Sequence, residues 1–435
     1  MLHRLKSLVP EAWLLPYHRA LSWLAAVWYG NPSEQLIVIG VTGTNGKTTT
    51  SYLISKALEA MGAKTGCTTT ALFKVADREW LNDTKMTMLG RFQLQRLLRE
   101  MVDVGCRYVV VETSSQGILQ FRHTGINYDV AVFTNLTPEH IEAHGGFENY
   151  KKAKIELFRH VASSKRKMMD GRRLEKVAVL NGRDKYAKEF AVPGFDRVVW
   201  FAAEPISSNG ETLVASNVKL EADRVSFELD AQRYDLQLPG RVNVENGLAA
   251  AAVAHVFHLD PEKVAERLAS VPGMPGRFER IEAGQPFTVI VDYAPEPESL
   301  ARLYETIAPV SRQRTIHVLG SAGGGRDIAR RPVLGRMAAE HADIVIVTNE
   351  DPYDDNPRMI IEQVAEGARA AGKKDGESLF LIEDRREAIF EAMRQAQPDD
   401  LVLLTGKGSE QAICVADGKK IPWDERRVAR EAIKA

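Results

Sequence analysis

The sequence has few cysteines and almost no net charge. Its three cysteines, Cys67, Cys106 and Cys414, are too scattered for a disulfide framework or a zinc ribbon. They indicate a reducing compartment and therefore predict a cytoplasmic protein. The formal net charge of −1 gives no basic surface for nucleic acid, so no nucleic-acid partner is predicted. Any phosphate group would have to bind at a local site.

The sequence also lacks a long uninterrupted apolar run. Its most apolar stretch, residues 13–29, is broken by Pro16, His18 and Arg19, whereas a membrane-spanning helix needs roughly 20 apolar residues. We therefore predict no transmembrane segment. Residues 1–35 are expected to form an N-terminal helical segment docked against the protein. A peripheral membrane helix or a surface for a partner protein is the alternative.

Short apolar runs alternate with helical patterns along the rest of the chain, which is typical of α/β layers around a mainly parallel sheet. The length of 435 residues suggests two or three domains. Strands are predicted at residues 36–40, 108–112, 128–134, 177–181, 198–201, 287–291, 315–319, 344–348, 379–382 and 401–405. The alternating pattern of residues 212–238 predicts a small antiparallel insertion.

Two prolines and two glycines within residues 271–277 mark the best domain boundary. The predicted fold class is therefore α/β, with two domains after the N-terminal segment. Residues 36–274 are expected to form a P-loop central domain with a parallel sheet. Residues 275–435 are expected to form a smaller Rossmann-like C-terminal domain.

A glycine-rich loop separates the first predicted strand from a helical pattern at residues 52–61. Backbone N–H groups of such a loop, together with the helix N-terminus, point at an anion. Lys47 can reach the β- and γ-phosphates of a nucleotide, and the Thr48 hydroxyl can bind Mg²⁺. By itself the loop fits a ligase, a kinase, a GTPase or another ATPase. Its candidate nucleotide-binding residues are Gly43, Thr44, Asn45, Gly46, Lys47, Thr48 and Thr49.

Polar residues follow two further predicted strands. Glu112 ends the strand at 108–112, and ligands of open α/β sheets bind beyond the carboxyl ends of strands. Glu112 should therefore share a crevice with the loop, where a carboxylate suits Mg²⁺. His140 follows the strand at 128–134, with His144 four residues later. Such a pair can chelate zinc, but without a third ligand it is more often structural.

A lysine interrupts the apolar face of the helix predicted at residues 150–161. At about 100° per residue, Tyr150, Leu157 and Phe158 share the face that includes Lys154. Burial disfavours the charged form of a lysine, and the neutral amine that results can react with CO₂ to give a carbamate, an anionic metal ligand. The alternative from these residues alone is a buried stem with its ammonium in solvent.

These motifs occur in the order seen in the Mur ligase family. The chain most resembles the UDP-N-acetylmuramyl-tripeptide synthetase branch (MurE) without its uridine-nucleotide-binding N-terminal domain. That branch adds the third amino acid of the peptidoglycan stem peptide. The matching segments are 43–48 (GTNGKT), 112–115 (ETSS), 134–140 (TNLTPEH), 150–154 (YKKAK), 238–246 (LPGRVNVEN), 275–279 (PGRFE), 292–294 (DYA), 326–327 (RD), 331–332 (RP) and 406–410 (GKGSE).

The resemblance implies an ATP-dependent ligase that forms an amide bond through an acyl phosphate. Its cofactors would be ATP and two Mg²⁺ ions. Its substrates would be a small-molecule carboxylate acceptor of the muramyl-peptide type and an amino acid, in peptidoglycan precursor synthesis.

The resemblance also implies roles for individual residues. The implied catalytic residues are Lys47, Glu112, His140 and a carbamylated Lys154. Magnesium would be bound by Thr48, Glu112, His140 and Lys154. Nucleotide contacts outside the loop are implied for Asn243, Asn246, Asp292, Arg326 and Arg331. Substrate contacts are implied for Thr87, Ser114, Arg122, Glu350, Asp351, Gly406 and Glu410.

The sequence departs from the branch pattern in three respects. About 35 residues precede the loop, so a UDP-linked acceptor is not assured. Tyr353 stands where the branch has an arginine that reads the distal carboxylate of diaminopimelate, and tyrosine cannot form that bidentate pair. Gln116 and Pro295 each replace a usual histidine. A lysine-like or another amine therefore fits as well as diaminopimelate.

Two other functions stay open at this point. The short N-terminal segment also fits a folylpolyglutamate-, cyanophycin- or polyglutamate-type ligase. A non-catalytic subunit comparable to the Mur-like half of the lipid II amidotransferase is the second alternative. That protein carries a four-cysteine zinc ribbon, which this sequence lacks, and the full set of loop and metal residues favours an active ligase.

Overall fold

The computed structural model describes residues 11–138, 144–208 and 210–435. They form two α/β units, each built on its own sheet. The described elements of the first unit are, in chain order, α1 (Glu11–Trp28), β1 (Ile37–Thr42), α2 (Lys47–Ala57), β2 (Thr65–Thr68), β3 (Leu72–Val75), β4 (Arg78–Leu81), α3 (Arg91–Asp103), β5 (Tyr108–Glu112), α4 (Ser115–Leu119), β6 (Val130–Phe133), α5 (Phe147–Ser163), β7 (Met168–Met169), β8 (Arg172–Arg173), β9 (Val177–Asn181), α6 (Ala187–Phe190), β10 (Arg197–Ala202), β11 (Glu211–Val214), β12 (Ser216–Leu220), β13 (Val225–Leu229), β14 (Gln232–Leu236), α7 (Arg241–Val256) and α8 (Pro261–Ala269).

The first unit has a nine-stranded sheet in the order β11-β10-β9-β6-β1-β5-β2-β3-β4 among the described strands. Strand β1 lies near the middle and pairs in parallel with β5 and β6, with Val41 opposite Glu112 and Thr42 opposite Phe133. Every residue of β1 and β5 is buried, as expected for parallel strands covered by helices on both faces. The register brings the phosphate loop and Glu112 to the same edge of the sheet.

Helices cover both faces of this sheet. The alanine-rich helix α7 packs against α2 on one face, because small side chains let the two backbones approach closely. Helices α3 and α5 cover the other face with an apolar cluster that includes Leu98, Leu157 and Phe158. The phosphate loop and the start of α7 are thereby held at fixed positions around the carboxyl edge of the sheet.

Helix α1 is docked on this second face, as the sequence predicts. The Ser22 hydroxyl donates to the Phe121 carbonyl oxygen at 2.6 Å, and Arg91 Nε donates to the His18 carbonyl oxygen at 3.1 Å. The opposite side of the helix exposes Trp23 and Trp28. Within the described part of the chain, no helix has the length and apolar character required to span a bilayer.

The second unit is smaller and repeats the α/β rhythm. Its sheet has the order β15-β16-β20-β17-β18-β19, parallel except for the edge strand β15. Its described elements are β15 (Glu279–Arg280), β16 (Thr288–Val291), α9 (Pro297–Ile307), β17 (Thr315–Leu319), α10 (Arg330–His341), β18 (Ile344–Thr348), α11 (Pro357–Ala370), β19 (Leu379–Ile382), α12 (Arg385–Gln395), β20 (Leu401–Leu404), β21 (Ala412–Cys414), β22 (Lys420–Pro422) and α13 (Glu425–Lys434).

The predicted α/β fold class is confirmed, and the long apolar strands lie within two residues of their predicted ends. Strands β12 to β14 form the predicted antiparallel insertion. Strand β11 was expected within that insertion but instead pairs in parallel with β10 in the main sheet. The sequence analysis missed β2, β3 and β4, because their residues mix polar and apolar side chains without a continuous apolar run or a clear alternation. The chain passes between the two sheets through residues 270–278.

Candidate active site

A cleft of about 470 Å³ lies between the two units. The first unit contributes the phosphate loop, the end of β5, the loop at residues 85–88 and the start of α7. The second unit contributes the end of β16, residues 326–330 and residues 350–353. The cleft therefore lies beyond the carboxyl ends of parallel strands from both sheets, where open α/β sheets bind ligands.

The phosphate loop connects β1 to α2 and depends on two glycines with positive φ. Gly43 has φ 153° and Gly46 has φ 79°, and a Cβ at either residue would overlap a side-chain oxygen, of Thr134 or of Asn246. Asn135 fixes the loop by accepting from Thr44 N–H at 2.8 Å and from Asn45 N–H at 2.9 Å. Residues 44–49 all line the cleft, whereas Gly43 lies behind them.

The Thr48 hydroxyl meets the carboxylate of Glu112 directly below the loop. It lies 3.1 Å from Oε1 and 3.0 Å from Oε2 of Glu112. Thr70 completes the surroundings, since its N–H donates to Oε2 at 2.7 Å and its hydroxyl donates to Oε1 at 3.0 Å. A carboxylate and a hydroxyl at a phosphate loop are the hard oxygen donors that Mg²⁺ prefers.

The third predicted metal residue, His140, lies outside the described residues. Within the described residues, no group of three or more histidine, cysteine or acidic side chains is arranged to bind a metal ion. His144 does not line the cleft and contacts Ser115, with 3.1 Å between Nε2 and Oγ. Burial and the nearby charge of Lys154 lower the pKa of His144, so its ring is neutral at neutral pH.

Lys154 is buried on α5, with 1% of its surface exposed, so its ammonium does not reach solvent. Nζ donates to the Gly43 carbonyl oxygen at 2.6 Å and lies 4.5 Å from the centre of the Tyr150 ring. The Tyr150 hydroxyl in turn lies 3.1 Å from the Thr44 hydroxyl. The helix periodicity in the sequence thus located a lysine directly behind the phosphate loop.

Two asparagines at the start of α7 extend the loop wall. Asn246 Oδ1 accepts from the Thr50 hydroxyl at 2.9 Å, and its Nδ2 donates to Asn243 Oδ1 at 2.8 Å. Asn243 Nδ2 donates to the Pro239 carbonyl oxygen at 2.7 Å. Both residues line the cleft beside the loop.

The second unit contributes Asp292 and Arg326 to the cleft, as the sequence predicts. The Asp292 carboxylate accepts from Phe278 N–H at 2.7 Å and from Ala294 N–H at 2.9 Å. Burial raises the pKa of Asp292.

The prediction for Arg331 needs correction, because the structure directs this side chain away from the cleft. It is fully buried, and its Nη1 donates to Gln363 at 2.6 Å. The preceding residue, Arg330, lines the cleft and pairs with Glu296. Adjacent helical residues point about 100° apart, so a motif match alone does not say which of the two arginines faces the site.

The residues predicted to contact substrate divide between the two units. The first-unit wall is lined by Thr87, Ser114 and Arg122. The hydroxyl oxygens of Thr87 and Thr70 are 3.0 Å apart. Glu350, Asp351 and Glu410 line the second-unit wall. Gly406 does not line the cleft. It has φ 101° and packs behind Glu350, where a Cβ would overlap the carboxylate.

Two lysines that the sequence analysis did not select contact the acidic residues of the second-unit wall. Lys85 Nζ lies 2.5 Å from Asp351 Oδ2 and 3.0 Å from Glu410 Oε2. Lys407 Nζ lies 3.0 Å from Asp351 Oδ1 and 2.7 Å from Glu410 Oε2. We call these four residues the tetrad. Lys85 belongs to the first unit, so the tetrad joins the two walls of the cleft.

The tetrad is a tightly coupled set of charges. Burial opposes the charge on Lys85, but the carboxylates of Glu410 and Asp351 outweigh it and raise the pKa of Lys85. Burial likewise opposes the charge on Asp351, but Lys407 and Lys85 outweigh it and lower the pKa of Asp351. No local motif marks Lys85, which follows Thr84 in a loop with an unremarkable sequence.

Two family models match this chain: the Mur ligase middle domain over residues 41–254, and the Mur ligase glutamate ligase domain over residues 276–408. The UDP-N-acetylmuramyl-tripeptide synthetase of Roseiflexus sp. (strain RS-1) is 40% identical over 428 residues, which cover 95% of this chain and 82% of that protein. The chain belongs to the Mur ligase family.

Other relatives agree with this assignment. The UDP-N-acetylmuramoyl-L-alanyl-D-glutamate–2,6-diaminopimelate ligase of Halalkalibacterium halodurans is 37% identical to this Mur ligase over 430 residues, 98% of this chain and 84% of that protein. A solved structure of a ligase with that name is 29% identical, covers 92% of this chain and 78% of its own, and has a TM-score of 0.58. The predicted ATP- and magnesium-dependent acid–amino-acid ligase is therefore confirmed.

The departures from the branch pattern concentrate on the second-unit wall of this Mur ligase. Tyr353 lines the cleft, and burial raises the pKa of its hydroxyl to about 12, so it is neutral at neutral pH. Arg358 does not replace the missing guanidinium, because it is exposed on α11 and pairs with Glu362 at 3.3 Å. Gln116 and Pro295 both line the cleft.

Proposed function

We propose that this Mur ligase uses ATP to phosphorylate the carboxylate of a muramyl-peptide-type acceptor. An amino acid then displaces the phosphate to form an amide during peptidoglycan precursor synthesis. The single observation that carries the proposal is the convergence of Lys47, Thr48, Glu112 and Lys154 around one loop in the cleft. We place the reaction in the cytoplasm, where ATP is available and the three free thiols stay reduced.

In the first step, the acceptor carboxylate attacks the γ-phosphorus of ATP. Backbone N–H groups of residues 46–48, at the N-terminus of α2, bind the phosphates. Lys47, whose Nζ lies 2.6 Å from the Thr44 carbonyl oxygen, stays at the loop and can turn to the γ-phosphate. Thr48 and Glu112 would hold magnesium, with His140 proposed as a further ligand. The ion supplies positive charge to the phosphate oxygens.

For Lys154 we propose a carbamate. The neutral Nζ would form an N–C bond with CO₂ and release one proton, which turns a buried neutral amine into an anionic oxygen donor behind the loop. The complete burial of Lys154 supports this step, because burial disfavours the ammonium form, and its hydrogen bond to Gly43 places Nζ directly behind the loop. A second magnesium ion is proposed on the same ground, since the added carboxylate increases the negative charge of the site.

The second step requires a dry cleft, because water would hydrolyse the acyl phosphate. The tetrad joins the two units across the cleft, which supports a closed site during this step. The attacking amine must lose a proton after it bonds to the carbonyl carbon, and inorganic phosphate leaves with the P–O bond intact.

The experiment that tests the proposed function combines the full chain and Mg-ATP with acceptors and amino acids. The acceptors are UDP-linked muramyl dipeptide, the same muramyl peptide without UDP, and a folate. We expect phosphate release that requires both a muramyl acceptor and an amino acid, and that Lys47→Ala abolishes. Release with folate and glutamate alone would replace the proposal by a folylpolyglutamate-type activity. No acceptor-dependent release, with ATP still bound, would favour a non-catalytic subunit.

The carbamate has a test of its own. Mass spectrometry of the intact protein under CO₂ should detect an adduct that Lys154→Ala lacks, and the activity of the wild type should rise with added bicarbonate. Short-chain carboxylates should restore part of the activity of Lys154→Ala, since they supply the missing anionic oxygen. Lys152→Ala is the matched control, because Lys152 is exposed on the same helix. Full activity without CO₂ would contradict the carbamate.

A further inference from the structure

Two carboxylates that the resemblance assigns to substrate contact already have partners within the protein. Asp351 and Glu410 each contact both lysines of the tetrad, at distances between 2.5 and 3.0 Å. Two carboxylates and two ammonium groups give a formal charge of zero. The side chains of all four residues are buried or nearly so. No charge in the tetrad is left for a substrate to neutralise.

Lys407 and Lys85 play different parts in this arrangement. Lys407 belongs to the same segment as Glu410 and also donates to the Ala412 carbonyl oxygen at 2.8 Å, so it is a fixed component of the second unit. Lys85 enters from the other unit. Its backbone has φ 57°, and the preceding Thr84 is fixed by Asn82, whose Oδ1 accepts from Thr84 N–H at 2.9 Å. The loop conformation therefore presents Lys85 to the two acids.

A lysine or diaminopimelate side chain carries a second ammonium, which needs an anionic partner in a buried site. In this cleft the ammonium of Lys85 occupies the position between Asp351 and Glu410 that such a group would need. A third cation would leave the site with an uncompensated positive charge. An amino acid without a second amine brings no such charge.

We propose that Lys85 is a specificity-determining residue of the amino-acid site, which excludes diamino acids by filling the acid pair Asp351 and Glu410. This inference rests on the proposed function and narrows its amino acid to one whose side chain carries no amine. The choice differs from the diaminopimelate in the name of the Halalkalibacterium halodurans relative. The replacement of the branch arginine by Tyr353 is consistent with this choice, because tyrosine cannot form a bidentate pair with the distal carboxylate of diaminopimelate.

The test measures kcat/KM for a panel of amino acids with the full chain and the acceptor that supports turnover. The panel is alanine, glutamate, lysine and diaminopimelate. For the wild type we expect alanine or glutamate to exceed both diamino acids by about tenfold or more. In Lys85→Met, which keeps the length of the side chain and removes its charge, the ratio of lysine to alanine should rise by about tenfold. Lys85→Arg should keep the wild-type ranking.

Lys56→Met is the matched control, because Lys56 pairs with Glu79 at the surface of the same unit and touches no residue of the tetrad. Its ranking should equal that of the wild type. A purely structural role for Lys85 would lower all four values together and leave their ratios unchanged, which would overturn the inference.

The wild-type ranking needs no variant, so the inference is testable even if Lys85→Met fails to fold. Preference of the wild type for lysine or diaminopimelate would overturn the role of Lys85 and leave the proposed ligase intact. Absence of phosphate release with every amino acid would overturn the proposed function, and the inference with it.

Discussion

The phosphate loop and the tetrad both border the cleft but are built in different ways. The loop is a continuous segment, residues 43–49, whose glycines and lysine are recognisable in the sequence. The tetrad joins residues from two units, and Lys85 and Asp351 are 266 positions apart. The loop binds a group common to many enzymes, whereas the tetrad surrounds the group that distinguishes one ligase from another. The loop residues for the chemistry that the family shares are therefore close together in the sequence, whereas the residues proposed to select the substrate are brought together by long-range contacts.

Removal of the loop lysine should have the largest effect. Lys47→Ala should lower kcat for phosphate release by about 10³-fold, because a preorganised charge on the transferred phosphoryl group is lost. The measurement is phosphate release at saturating ATP. Lys56→Ala, at the far end of the same helix, is the control and should keep wild-type activity. A loss below tenfold in Lys47→Ala would mean that the loop does not bind the reacting phosphates.

Substitution of Glu112, whose carboxylate lies below the loop, should have the second-largest effect on activity. Glu112→Gln should lower activity by about 10²-fold, because the amide keeps the hydrogen bond from Thr48 but removes the charge that attracts Mg²⁺. A magnesium titration should show a half-maximal concentration well above that of the wild type. Glu79→Gln, which alters a surface carboxylate of the same unit, should leave the titration unchanged. An unchanged magnesium requirement in Glu112→Gln would exclude this residue as a ligand.

The contrast between the phosphate loop and the tetrad also explains which features could be predicted from the sequence. Strands such as β5 and β17 were located because four of the five residues in each are apolar, aromatic or β-branched. Helix periodicity placed Lys154 on the apolar face of α5 but left open whether its ammonium reaches solvent, and the structure shows that it is buried. The sequence could not show which of Arg330 and Arg331 points into the cleft, because the orientation of α10 depends on its packing against α11 rather than on its own pattern. The contacts of Lys85 could not be predicted, because no local sequence pattern indicates which residues will contact another unit.

Substitution of Lys407 in the tetrad should change the stability of the fold more than the rate of the reaction. Lys407→Met should lower the free energy of unfolding by about 2 kcal/mol, because Asp351 and Glu410 then share one lysine in a buried site. Thermal unfolding without ligands measures the change. Lys420→Met is the control, since that exposed lysine donates to the Thr84 carbonyl oxygen and holds no buried carboxylate. Equal unfolding temperatures for the two variants would show that the tetrad does not stabilise the fold.

The smallest effect is expected at Glu350, which lies beside the tetrad without sharing its lysines. Its Oε2 is buried with no hydrogen-bond partner among the described residues, and burial raises the pKa of its carboxyl group. The folded state therefore holds the proton to a higher pH than the unfolded state, so the wild type loses stability as the pH rises above about 4.3, the ordinary value for glutamate. Glu350→Gln removes this loss and should be more stable than the wild type by about 1 kcal/mol at pH 8. The two proteins should unfold at the same temperature near pH 4, where the carboxyl is neutral in both states. Glu366→Gln, at an exposed position of α11, should show no difference at either pH. A stability gain in Glu350→Gln that is equal at both pH values would point to packing rather than charge.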